Sequence, residues 1–290
     1  MEMIQETFTL PDGSRVPAIG FGTYNAKGGD NLQMIKDAIE AGYRYFDTAS
    51  LYGTERALGQ AIKESGLPRE DFILASKAWT DEMGYEETKA AFARSLSRLQ
   101  TDYLDLYLIH WPKAYEEDEN WKKRCQETWG AMEELVREGK IKAIGLSNFL
   151  PHHLDAILET ATIQPAVNQL ELHIGYSQEA AVAYTQSKGI LAQAWSPLAR
   201  GAMEDQPVIK SLAEKYSKTM AQVCLRFLYQ KGIMPIVKSA DKGRMLENMQ
   251  IFDFEMERED IQMLECMPQN TWQGEPPDFA IPKVKSNFEQ

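Results

Sequence analysis

Eight short apolar runs recur along this chain, each followed by a stretch of helical periodicity, and this alternation restricts the fold more than any other feature. The runs are Ala18–Tyr24, Tyr43–Ala49, Phe72–Ala78, Leu104–His110, Ile141–Ser147, Pro165–Leu172, Ile190–Ser196 and Ile233–Ser239. Most are close to continuously apolar, as strands covered on both faces must be. The segments between them carry helix signals. Asp30 is placed to cap a helix whose Leu32, Ile35, Ala38 and Ile39 form one stripe, with Gly42 as its stop. Pro151 suits the first turn of a helix bearing Leu154, Ile157 and Leu158, and Ser177 and Asp241 are expected to cap later ones. Ahead of the alternation, Thr7–Leu10 and Arg15–Gly20 flank Pro11-Asp12-Gly13-Ser14, which has the chemistry of a hairpin turn.

A chain of 290 residues could hold two average domains, but one barrel of eight strands and helices takes roughly 250 residues. With no internal linker, residues 1–290 are expected to form a single (β/α)₈ TIM barrel of the α/β class, with an N-terminal β-hairpin and a C-terminal loop over the barrel mouth. A doubly wound dinucleotide fold would show G-x-G-x-x-G after its first strand. Here Gly20-Phe21-Gly22 is followed by Asn25 where the third glycine belongs, which disfavours that fold. The acidic run Glu116–Glu119 is expected in a long loop after the fourth strand. The Pro-rich tail from Gly274 is expected as an ordered loop near the mouth.

The 43 acidic and 31 basic side chains leave a net charge of −12, which excludes nucleic acid and anionic membranes as general partners. Any bound anion needs local positive charge to overcome that field. No run approaches the ~18 apolar residues of a membrane span, and the start lacks the pattern of a signal peptide. A cytoplasmic location is therefore expected. Cys125, Cys224 and Cys266 are few and far apart, and read as reduced, buried small hydrophobes rather than bridges.

The functional signal is where polar residues fall. Asp47, Lys77, His110, Ser147 with Asn148, Gln169 with Glu171, Trp195 with Ser196, and Lys238 with Ser239 end seven successive runs. In barrels of this kind, catalytic groups occupy the C-terminal strand ends. Asp47, Lys77 and His110, with Tyr52 just past Asp47, form a chemically coherent group. A phenol near pKa 10 is a poor proton donor at neutral pH. A neighbouring Lys77 ammonium is expected to lower that value, with Asp47 holding Lys77 charged. His110 is placed to orient an acceptor oxygen. The set suits protonation of a developing alkoxide, the demand of carbonyl reduction. No metal is expected: His110 and His173 lack a third partner, and the adjacent His152 and His153 are expected to point apart on a helix.

These same segments resemble the aldo-keto reductase family over nearly the whole chain. Phe46–Glu55 (FDTASLYGTE) resembles its aspartate and tyrosine segment, Ser76-Lys77 its lysine strand and Leu108–Pro112 (LIHWP) its histidine strand. Gly145–Phe149 (GLSNF) resembles its nicotinamide loop, and NQLELH, AWSPLARG and KSADKGRMLEN follow in the family's order. The resemblance implies NADPH-dependent reduction of a small-molecule aldehyde or ketone by a monomer. It assigns Tyr52 as general acid, with Asp47, Lys77 and His110 assisting. It places Gly22, Thr23, Ser147, Asn148, Gln169, Trp195, Ser196 and Leu198 around the cofactor, with Trp195 stacked on the ring where a tyrosine is common. Lys238, Ser239 and Arg244 are expected to hold a 2′-phosphate at the start of a helix, with Glu247 and Asn248 at the adenine. Tyr24, Trp79 and Trp111, with Trp121, are expected to line an aromatic substrate pocket. Two rivals share parts of this pattern. One is a sensor barrel that binds NADPH with little turnover. The other is a hydrolase pairing Asp47 with Glu171, which leaves Lys77, Tyr52 and Arg244 without a task.

Overall fold

Gly13 turns the first hairpin with a positive φ of 86°, a conformation that costs a glycine little. It joins β1 (Thr7–Thr9) to β2 (Arg15–Pro17) in an antiparallel pair. The computed structural model describes residues 6–24, 28–203, 205–270 and 273–278. After the hairpin, strands and helices alternate as β3 (Gly20–Gly22), α1 (Asn31–Ala41), β4 (Tyr45–Asp47), α2 (Glu55–Ser65), β5 (Ile73–Ala78) and α3 (Tyr85–Leu99). They continue as β6 (Leu104–Ile109), α4 (Trp121–Arg137), β7 (Ile141–Ser147), α5 (Pro151–Leu158), β8 (Val167–Glu171), α6 (Glu179–Ser187) and β9 (Leu191–Trp195). The chain then forms α7 (Pro207–Tyr216), α8 (Met220–Gln230), β10 (Ile233–Val237), α9 (Lys242–Met249) and α10 (Arg258–Glu265). Strands β3 to β10 pair in parallel in chain order, and β10 closes on β3. The expected (β/α)₈ barrel is thus the fold. Each strand core falls inside its apolar run. No helix among the described residues is long and apolar enough to cross a membrane.

Strand alternation divides the core. Leu106 and Leu108 of β6 join Tyr45, Ala75, Val167, Met234 and Ile236 in the barrel interior, while Tyr107 and Ile109 pack into the layer beneath the helices. Gly145 keeps that interior closed: a Cβ there would lie 2.6 Å from Val167 Cγ2 and 2.7 Å from Leu108 Cδ2. Leu10 and Val16 of the hairpin belong to the same interior group. The hairpin therefore plugs the end of the barrel from which the strands start.

Helix signals held where they rest on local chemistry. Asp30 accepts from Gln33 N at 3.0 Å, Gly42 closes α1 in the left-handed region, Pro151 opens α5, and Asp241 caps α9 through Arg244 N. Ser177 does not cap α6. Gln178 takes that position, and Ser177 instead meets Gln269. The acidic run lies in the loop after β6, where Asp118 is buried and paired with Arg124 while its neighbours stay exposed. Cys125 and Cys224 are buried, and burial pushes both thiols up to about 12. Cys266, just past α10, is exposed, contrary to the expectation of a buried thiol, because it follows the helix end rather than its packed face.

Candidate active site

Successive inward positions lie two residues apart along each strand. Two residues beyond the apolar interior layer stand Gly22, Asp47, Lys77, His110, Ser147, Gln169 and Lys238, following Gly20, Tyr45, Ala75, Leu108, Gly145, Val167 and Ile236. The polar strand ends of the sequence are thus one layer at the C-terminal mouth. Lys77 is fully buried, with Nζ 2.5 Å from Asp47 Oδ1, 3.0 Å from Thr48 O and 3.4 Å from the Tyr52 hydroxyl. Tyr52 rests on a 3₁₀ turn, Ser50–Tyr52, and its hydroxyl is 3.3 Å from His110 Nε2. Gln169 Nε2 donates to the other Asp47 oxygen at 2.8 Å.

The electrostatics differ from expectation at Tyr52. Burial raises its phenol well above the ordinary value, and the Asp47 charge and Tyr24 raise it further. The expected lowering by Lys77 is not seen: burial dominates at the phenol, and the Asp47 charge adds to it. Lys77 is itself lowered by burial against the opposing pull of Asp47. Burial, then Lys77, holds His110 well below the usual histidine range, so it is neutral near pH 7. Its Nδ1 is buried and has no hydrogen-bond partner among the described residues.

Beside this group, Asn148 has φ +64° and Ser196 φ +50°, and such non-glycine strain gathers at functional loops. Asn148 Nδ2 donates to His110 O at 3.0 Å, and its Oδ1 accepts from Trp195 Nε1 at 2.9 Å. Ser147 pairs in register with Gln169. Two amides, a hydroxyl and an indole thus converge next to Lys77, a donor and acceptor set that fits a carboxamide on an aromatic ring. Thr23 is fully buried and tied to Thr54 and to Asp47 O, and Leu198 is half-buried. A Cβ on Gly22 would meet Ile236 Cγ2 at 3.4 Å and Lys238 Cβ at 4.0 Å, which places this position beside that lysine. Arg244 is exposed on the first turn of α9, Glu247 is exposed and Asn248 buried. The Asp241 carboxylate already occupies Arg244 N, and Ser239 Oγ bonds Asp241 O at 3.1 Å. Positive charge there rests on the Lys238 and Arg244 side chains more than on the helix end.

Of the aromatic candidates, Tyr24 is exposed and lies 5.0 Å from the Tyr52 ring. Trp79 and Trp111 are buried together against Leu51, and Trp79 meets His110 edge-on at 4.8 Å. Trp121 packs on His153 instead, 4.9 Å away. His152 and His153 do not point apart. Their rings are 3.9 Å from each other, and both Nε2 atoms are 3.0 Å from Asp278 Oδ1. These three could surround a metal ion, but His153 Nδ1 accepts from Leu150 N, which leaves its proton on Nε2 facing Asp278. His152 Nε2 is within hydrogen-bond distance of Asp278 and so ties the tail to α5, and Lys113 also holds the tail through Asp278 O. Of the tail segment, residues 273–278 pack as expected, and the remainder lies outside the described residues.

Some supporting residues escaped the sequence reading. Glu82 is buried and accepts from Ser50 Oγ at 2.5 Å and Trp79 N at 3.0 Å, tying the Tyr52 turn to the tryptophan loop. Glu55 joins Ser76 and Arg98 behind Lys77.

The fold and this site define a barrel oxidoreductase, and comparison with known proteins agrees. The family model described as "Aldo/keto reductase family" matches residues 18–267, and the chain belongs to that family. It is 43% identical over 279 residues to a glyoxal reductase of Bacillus subtilis, covering 96% of this chain and 98% of that protein. It resembles the structure of MGS-M4, an aldo-keto reductase from a deep-sea metagenome library of the Medee basin, at 36% identity and a TM-score of 0.89. That match covers 94% of this chain and 99% of the other. An aldo-keto reductase of Bombyx mori, solved in complex with NADP, is 33% identical with a TM-score of 0.84, covering 93% of this chain and 95% of that one.

Proposed function

We propose that this chain reduces aldehydes or ketones to alcohols with NADPH, acting as a cytoplasmic monomer. The observation that carries the reading is the buried Asp47–Lys77 pair set against Tyr52 and His110 at the barrel mouth. When bound, the nicotinamide supplies the hydride. Tyr52, with its phenol raised, keeps its proton through neutral pH and hands it to the carbonyl oxygen as negative charge develops there. Neutral His110 holds that oxygen through Nε2, beside the tyrosine hydroxyl. Lys77 steadies the phenolate that remains, and Asp47 fixes the ammonium. Asn148, Gln169 and Ser147 orient the carboxamide, and Trp195 backs the ring. Lys238 and Arg244 favour the phosphorylated cofactor, which reconciles anion binding with an acidic molecule.

The test follows NADPH absorbance as aldehydes and ketones are added. Glyoxal belongs in the panel because the Bacillus relative is named for it. Consumption of NADPH with formation of alcohol is expected. Tight NADPH binding without turnover across the panel would indicate a sensor, and failure to bind NADPH would end the proposal.

A further inference from the structure

Glu171 and Trp195 are register partners at the ends of β8 and β9, and the chain returns to both of them at Gln273–Gly274. Gly274 N donates to Glu171 Oε2 at 2.7 Å, and Gln273 N donates to Oε1. Glu171 is 4% exposed, and a carboxylate so buried must keep its donors or lose much of its solvation. His173 Nε2 also lies 3.1 Å from Oε1, but the two other partners are backbone N–H groups, so the tail itself holds the carboxylate.

Gly274 also lies directly on the indole. A Cβ there would overlap Trp195 Cη2 and sit 2.6 Å from Glu171 Oε2, so only glycine fits between them. The opposite part of the same ring edge is held by the Nε1–H bond to Asn148. Trp195 is thus held at two places, by Asn148 at Nε1 and by the tail at Cη2 and Cζ2.

We propose that Glu171 is a positioning residue that clasps Gln273–Gly274 against Trp195, and that this clasp sets how long the dinucleotide stays bound. The inference rests on the reading that Trp195 stacks on the nicotinamide. Releasing the clasp removes one of the two contacts that hold the indole, so the stacked arrangement is lost more often and the cofactor leaves sooner. Two variants attack the clasp from opposite sides. Glu171→Gln turns an amide donor toward a backbone donor, and Gly274→Ala wedges the tail off the indole.

The test uses the full chain and has two readouts, with thermal melting as the check on folding. In cofactor-free protein, hydrogen exchange of the peptide containing Gln273 and Gly274 should quicken in Glu171→Gln. In stopped-flow displacement, NADPH should dissociate roughly tenfold faster from both variants, as expected for loss of a hydrogen bond to a charged group. A merely structural role would lower the melting temperature and leave the release rate unchanged. Wild-type release rates in both folded variants would overturn the clasp while leaving the reductase reading intact. Wild-type protein that never binds NADPH would overturn both, even with the exchange result as expected.

Discussion

The Lys77 ammonium lies 2.5 Å from the Asp47 carboxylate but 3.4 Å from the Tyr52 hydroxyl. The lysine therefore answers first to the aspartate. Replacing Asp47 by Asn removes one of the charges that raise the Tyr52 phenol and leaves the Lys77 field uncompensated. The phenol should fall toward its ordinary value, and the pH profile of alcohol oxidation should move to lower pH. Steady-state rates across pH 6 to 11 check this; an unmoved profile would refute the assignment of Asp47 as the opposing charge.

Tyr52→Phe should lower turnover by roughly 10²–10⁴-fold while NADPH still quenches tryptophan fluorescence. In the wild type, carbonyl reduction needs the protonated phenol, so its rate should stay flat from neutral pH up to about pH 9 and decline only beyond the ordinary tyrosine range. Alcohol oxidation needs the phenolate and should climb throughout that window. A reduction rate that falls below pH 8 would contradict the raised phenol.

Lys77→Met leaves a buried Asp47 without its cation, a loss on the order of 3–5 kcal/mol. The double variant with Asp47→Asn should recover much of that stability yet remain inactive. Melting curves and turnover measured on the same preparations separate folding from chemistry.

Arg244→Ala should weaken NADPH by roughly 10–100-fold and leave NADH nearly unchanged, because Arg244 is exposed and its amide is already capped by Asp241. An unaltered NADPH:NADH affinity ratio would remove Arg244 from the phosphate site.

Burial and the adjacent His152 lower His153 to about 4, against about 6.5 in the unfolded chain. Because the unfolded state binds the extra proton first, this group favours folding fully above pH 6.5 and loses that contribution as pH falls toward 4. The melting temperature should drop across that interval, and His153→Gln should flatten the slope. Parallel slopes in wild type and variant would show that other groups dominate.

Much of the barrel was legible because a strand covered on both faces has to be an apolar run, whatever follows it. The polar layer at the mouth was legible for the converse reason: Asp47, Lys77 and His110 interrupt such runs at one end. What escaped depends on partners distant in sequence. Ser177 has the composition of a cap, but its partner is Gln269, and no local pattern records that. Glu82 resembles any acid of a helical turn until Ser50 and Trp79 are seen around it. His152 and His153 are drawn together by Asp278, a residue of the tail. The raised phenol of Tyr52 was not legible because its largest cause is burial, which the fold and not the local sequence sets.

The polar layer at the mouth has an evolutionary consequence. Its members sit on the hydrogen-bonded strands or one residue past their ends, with an apolar layer directly below, so a shift of any one disturbs the barrel. Tyr24, Trp111 and the tail segment sit on connecting loops, outside that lattice. Under the proposed function, reactivity and preference would then be carried by separable parts of the chain. A library randomised only in those loops should yield variants that differ in the carbonyl compound they favour while inheriting the same pH response.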